Sequence, residues 1–224
     1  MTEHCELKRL YAICQAFRAQ YVEFDRLTHI ADDLRMLVDR DNTASEGSII
    51  ILLGASGSGK THFINSFVSG YPRELLNINY PDGRKADRAT VVVVDMPDSG
   101  VNSVTRAIYA ALTGVQPPAD KRYDVETAIA HFAAEQQTKL IIFEESHEAA
   151  LDITKETFKA VGRLLKRLAN KATFSILLVG TEDARPLVQN NPELHRRALG
   201  FHTIEPFNWN DVKDRKVFIK LLRG

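Results

Sequence analysis

Residues 54 to 63 read GASGSGKTHF, preceded by the apolar run SIIILL and followed by a helical pattern. Three glycines around one lysine let backbone N–H groups converge on an anion, and a helix starting there adds about half a positive charge. Gly54, Gly59, Lys60 and Thr61 fit G-x-x-x-x-G-K-[ST] in the strand-then-helix context which that pattern needs. The loop Gly54, Ala55, Ser56, Gly57, Ser58, Gly59, Lys60, Thr61 and His62 therefore suits the phosphates of a nucleoside triphosphate. Lys60 reaches the β- and γ-phosphates, and the Thr61 hydroxyl serves Mg²⁺.

A phosphate cradle also needs a metal ligand and a group that orients water, usually on the end of a neighbouring strand. LIIFEESHEA supplies both after an apolar strand, as in a Walker B element: Glu144 on the metal side and Glu145 to polarise the attacking water. The metal-side residue is ordinarily Asp, so the longer Glu144 predicts slow or absent hydrolysis. His147 stands where helicase-like motifs sometimes carry histidine; a lone histidine is more often a cap or a surface residue, and no role is assigned to it. LLVGTEDA ends a further strand at Thr181, a position that suits either a γ-phosphate sensor or a helix cap. Arg196 and Arg197 precede the last strand, on what would be the subunit edge of an oligomer. An arginine there acts on a neighbour's phosphate, unless the pair is only a solvated basic turn.

These residues need a sheet to hold them. The strands ATVVVVD (89–95), KLIIF (139–143), FSILLVG (174–180) and FHTIEPF (201–207) join SIIILL, each separated from the next by helical segments. Strands without polar alternation, spaced by helices, predict an α/β fold with a mainly parallel five-stranded sheet covered on both faces. Two helices are expected over residues 5–40, one at KTHFINSFVS that stops at GYP, and others at VNSVTRAIYAALTG and TKETFKAVGRLLKRLAN. The segment DVETAIAHFAAEQQ opens with Asp124 as its cap. The expected domains are an amino-terminal helical extension (1–45), a nucleotide-binding core (46–208) and the start of a truncated or missing helical lid (209–224).

With 224 residues the chain can bury a full core. Lys plus Arg and Asp plus Glu both number 29, so no net field draws the protein to nucleic acid and any such binding must use local patches. No apolar run approaches the roughly 20 residues of a bilayer span, and there is no signal-peptide core, so a cytoplasmic protein without a membrane partner is expected. Cys5 and Cys14 are expected to be reduced.

In order along the chain, the P-loop, the acidic pair, the polar strand end and the arginines resemble the AAA+ ATPases. More narrowly, GASGSGKTHFINSF, VVVVDMPDSGVNSVTRAIYAALTG, LIIFEESHEA and LLVGTEDARPLVQNNPELHRRALGF resemble the TniB/TnsC transposition regulators, with MuB more distant. The likeness covers about residues 20 to 210. It implies ATP and Mg²⁺ as cofactors and a homo-oligomeric ring or helical filament on double-stranded DNA. It also implies a bridge between a TniQ-type target-selection factor and a transposase. By the same resemblance, sequence-nonspecific DNA contacts fall on Asn102, Ser103, Arg106, Lys121 and Arg122. A second basic stripe, Lys155, Lys159, Arg163 and Lys166, lies on one face of a helix whose other face offers Phe158, Val161, Leu165 and Leu168; it reads as a phosphate-neutralising surface or as a solvated face. Rival readings are an ATP-switched scaffold without turnover, a small-molecule kinase, and another AAA+ DNA loader or remodeller.

Overall fold

The computed structural model describes residues 25–40, 47–79, 85–97, 100–120, 122–147, 155–171 and 174–223. Among them, residues 29–206 form one compact unit, while 25–28 and 207–223 belong to a second. Cys5, Cys14 and the first expected helix lie outside the described residues.

Five apolar runs become the central sheet: β1 (Ile49–Gly54), β4 (Val91–Asp95), β5 (Leu140–Glu144), β6 (Ser175–Gly180) and β7 (Ala198–Ile204). Their order is β4-β5-β6-β1-β7, and every pairing is parallel. Burial on both faces explains why the runs carry no polar alternation: β1 and β6 are buried at every residue. The crossovers are helical, as parallel neighbours require.

On one face Ile49, Ile51, Leu53, Val92, Val94, Ile141, Phe143, Ile176 and Leu178 form the main core. It is covered by α3 (Gly100–Thr113), α4 (Val125–Glu135) and α5 (Lys155–Lys171). From α5 come Val161, Leu164, Leu165 and Leu168, in agreement with the expected apolar face; the Phe158 side chain lies outside the described residues. Asp124 caps α4 as expected, accepting from the Thr127 N–H at 3.1 Å. The other face meets α1 (Asp25–Asp39): His202, the β1 partner of Leu52, lies 3.1 Å from Asp33. Next to α1 lies the end of α2 (Lys60–Ser69), where burial and nearby Asp39 raise the Tyr71 phenol above its ordinary value.

Two strand assignments change. The last strand runs from Ala198 to Ile204 rather than over 201–207. Its first residues pair with β1 through an irregular step at Ile49/Ile50, and Pro206 lacks the N–H a longer ladder would need. A separate antiparallel pair, β2 (Glu74–Asn79) with β3 (Lys85–Arg88), was not expected. It carries too little apolar pattern to read as strands; charge pairs Arg73–Asp87 (3.0 Å) and Arg88–Glu74 (3.6 Å) tie it instead. After β6 come a short 3₁₀ turn (Glu182–Ala184), α6 (Arg185–Gln189) and α7 (Pro192–Arg197).

In the second unit, α8 (Val212–Arg223) gathers Phe207 and Trp209 around Phe218, with ring centroids 5.4 and 6.0 Å apart. Asp214, in its first turn, accepts the Asn208 N–H at 2.8 Å.

Candidate nucleotide site

Because all five strands are parallel, their carboxyl ends share one edge of the sheet, the place where open α/β sheets bind ligands. The glycine loop leaves β1 at that edge. Gly54 is required by space: a Cβ there would lie 2.6 Å from Ser58 Oγ and 3.0 Å from the Ile204 carbonyl oxygen. At Gly57 (φ +75°) and Gly59 (φ +92°) the requirement is conformational, because nothing crowds either position but both are left-handed. Gly59 is also the N-cap of α2 and offers no side chain to its first turn, so the orphan N–H groups there suit an anion.

Lys60 is buried to 8% exposure, and its ammonium donates to the Gly54 and Ala55 carbonyls at 2.8 and 2.9 Å. Two of its three donors are thus used on the loop itself. Burial holds its pKa below the ordinary lysine value, with Glu145 opposing that shift.

Thr61 hydrogen-bonds Glu144. Burial raises the Glu144 carboxyl above its ordinary value, the Thr61 bond opposes this, and Asp95 and Glu145 add to it. Asp95 ends β4 directly opposite Glu144 in the ladder. Oε1 of Glu144 is buried with no hydrogen-bond partner. Hard oxygen donors next to a buried carboxylate oxygen fit a small divalent cation. No group of three or more His, Cys, Asp or Glu able to hold a metal occurs among the described residues. Two protein oxygens, with phosphate and water completing the shell, are what Mg²⁺ beside a nucleotide needs.

Glu145 follows with φ +50°, one of two non-glycine residues in the left-handed region among those described. Such a backbone costs about 1–3 kcal/mol and persists where its surroundings over-determine it. Here Ser146 is fully buried, its Oγ donating to the Phe143 carbonyl (2.9 Å) and its N–H to that of Val179 (2.8 Å). Thr181 heads the 3₁₀ turn, and its hydroxyl donates to Asp183 at 3.1 Å.

A cavity of about 360 Å³ is lined by Ser56, Gly57, Gly59, Lys60, Thr61, His62, Glu145, His147 and Thr181. The loop, the second glutamate and the strand-end threonine therefore meet. Gly54, Ala55, Ser58 and Glu144 do not line the cavity, but the Gly54 and Ala55 carbonyls accept from Lys60 and Glu144 meets Thr61. Sequence reasoning passed over Asp95 and gave His147 no role; Asp95 was legible as the acid ending an apolar strand, whereas His147 is brought in only by the turn after β5.

The arginine pair lies elsewhere. Arg196 and Arg197 precede Ala198, the partner of Ile49 at the start of β1, so they sit at the opposite edge of the sheet, about 20 Å of strand away. Arg196 is exposed, while Arg197 reaches the Gly47 carbonyl at 3.5 Å.

Of the expected DNA contacts, Asn102 and Arg106 are exposed one turn apart on α3, with Ser103 half-buried between them. Arg122 is exposed but tied to Asp120 through Nε (3.3 Å) and Nη2 (3.2 Å), which neutralises its charge locally. Lys121 lies outside the described residues. On α5, Lys159 and Arg163 are exposed and Lys166 is half-buried, and the Lys155 side chain lies outside the described residues. No described helix is long and apolar enough to cross a membrane.

Solved structures with the same fold include Cdc6p of Pyrobaculum aerophilum (TM-score 0.56, 14% identity, 93% of this chain and 53% of that one). The Aeropyrum pernix ORC1 protein in complex with DNA matches with TM-score 0.51 at 14% identity (88% and 48%), and the Walker-type ATPase of Pyrococcus abyssi with 0.52 at 11% (90% and 59%). The chain thus spans between about half and three-fifths of the length of these proteins. Together with the strand order and the cradle, they give the architecture as that of a P-loop AAA+ domain. No curated protein matches the chain. The family model described as bacterial TniB protein matches residues 13–211, and the chain belongs to the TniB family.

Proposed function

We propose that this protein binds ATP with Mg²⁺ at the cradle, hydrolyses it slowly, and uses it to regulate DNA transposition as an oligomer on double-stranded DNA. The observation that carries the nucleotide reading is the convergence of Lys60, Thr61, Glu145 and Thr181 on one cavity, with Glu144 hydrogen-bonded to Thr61. Loop N–H groups from Ser56 to His62 hold the phosphates, and Lys60 turns from the loop carbonyls toward the β- and γ-oxygens. Thr61 and Glu144 would hold Mg²⁺, which would supply charge neutralisation at the phosphates. Glu145 accepts a proton from water as the water oxygen attacks the γ-phosphorus, and the bond to the β-phosphate oxygen breaks to release ADP. Thr181 senses the γ-phosphate.

Arg196 and Arg197 are too far from their own cradle, so they act on a neighbour's γ-phosphate and make ATP the joint between subunits. Membership of the TniB family supports the link from a target-selection factor of TniQ type to the transposase. Asn102, Ser103 and Arg106 are the proposed duplex contacts, and they grip backbone rather than read bases. The core is placed at 46–208, with the lid beginning at 209. A scaffold switched by ATP without turnover is the second reading; the half-buried, upshifted Glu144 carboxyl in the place of an aspartate favours it.

Sedimentation with duplex DNA in ATP, a non-hydrolysable analogue or ADP tests the proposal, with Lys60→Ala as control. Large DNA-bound assemblies are expected only with a triphosphate and never in the variant. A protein that stays monomeric and ignores DNA in every nucleotide state refutes the assembly reading and leaves only nucleotide binding.

A further inference from the structure

His147 is not a surface residue. Its side chain is 15% exposed, it lines the cradle cavity, and its Nδ1 lies 3.4 Å from Glu145 Oε2. The contact is built from two strands. The turn after β5 is pinned by Ser146, which hydrogen-bonds back to β5 and across to Val179 on β6. That pinning sets the left-handed backbone of Glu145, which sends the chain back so that His147 returns to the same cavity. Gly180, at the end of β6, makes the room: a Cβ there would lie 3.1 Å from the His147 backbone nitrogen and 3.5 Å from its Nδ1.

Glu145 is 54% exposed, so its own packing does little to choose a rotamer. A long carboxylate that must face one water molecule needs a second contact to hold it, as groups in working sites generally do. We infer that His147 is a positioning residue for Glu145, donating from Nδ1 to the carboxylate and aiming it into the cavity. At 3.4 Å the contact is longer than a tight hydrogen bond and its alignment falls short of one, in keeping with the looser geometry of catalytic contacts before substrate binds. This inference rests on the reading of Glu145 as the group that orients water.

The test uses the full chain and two readouts. In turnover assays His147→Ala is expected to lower kcat about tenfold, at the low end of what orienting partners contribute, with KM for ATP unchanged. His147→Asn, whose amide N–H stands near the Nδ1 position, is expected to restore most of that loss. Histidine-selective ¹⁵N NMR without nucleotide, with His147 assigned by its absence in His147→Asn, is expected to show protonated Nδ1 and a shifted signal in Glu145→Gln. A raised KM with unchanged kcat overturns the inference, as does an asparagine variant no better than alanine or an Nδ1 signal indifferent to Glu145→Gln. Should the unaltered protein bind ATP without turning it over, the hydrolysis reading falls and the NMR result alone decides the contact.

Discussion

The two edges of the sheet are built in different ways. At the carboxyl edge the backbone does the shaping: Gly57 and Gly59 are left-handed, Gly54 admits no side chain, and Lys60 is buried against its own loop. At the amino edge the charges of Arg196 and Arg197 stand on a short helix, one exposed and the other donating a long hydrogen bond to the Gly47 carbonyl. The cradle takes its shape from main chain and its lining from side chains such as Lys60, Glu145 and Thr181, all of this chain. On the proposed reading the arginine pair acts only on a docked neighbour, and this difference would separate binding from assembly.

The comparison breaks most sharply at Lys60. Lys60→Ala removes a charge-assisted contact to phosphate and is expected to weaken ATP binding by on the order of 100-fold, as read by titration calorimetry. Arg197→Ala is expected to leave ATP affinity of the dilute protein unchanged while turnover on DNA falls by about tenfold or more. Equal losses in both variants would show that the edges are not separate in function. Gly59→Ala tests whether backbone shape carries the cradle: a left-handed alanine costs about 1–2 kcal/mol, which a chemical denaturation curve resolves.

Two smaller effects concern the other charged positions. Burial holds His202 below the ordinary histidine value against the pull of Asp33, with His29 adding to the depression. The unfolded chain therefore binds this proton more readily than the folded one. Stability should fall as pH drops below about 6.5 and level off below the folded pKa, and His202→Gln should flatten that part of the curve. Arg122→Ala is expected to change DNA binding least, by less than about 0.5 kcal/mol, because Asp120 already matches its charge.

Much of the fold was legible because apolar runs of strand length, spaced by helical periods, leave few alternatives. β1, β4, β5 and β6 fall within a residue or two of their expected places, and α2 and α4 begin where glycine and Asp124 predict. The β2–β3 pair was not legible, since its sequence carries little apolar alternation and the charge pairs Arg73–Asp87 and Arg88–Glu74 join residues far apart in the chain. The start of β7 was missed for a related reason: Ala198, Leu199 and Gly200 show no strand pattern and are recruited by the edge of β1.

The same division runs through the site. The residues 54–62 determined their own conformation, because glycine spacing and a helix start act over a few bonds, and their kinship with the TniB family is carried in the sequence. Only the tertiary structure brought Glu144 to Thr61, Thr181 into the cavity and His147 to Glu145. It also put the arginines at the far edge of the sheet, a strand's length from their own cradle. The reason is the parallel sheet: residues far apart in the chain become neighbours wherever strands end together, and residues joined by one strand are held its full length apart.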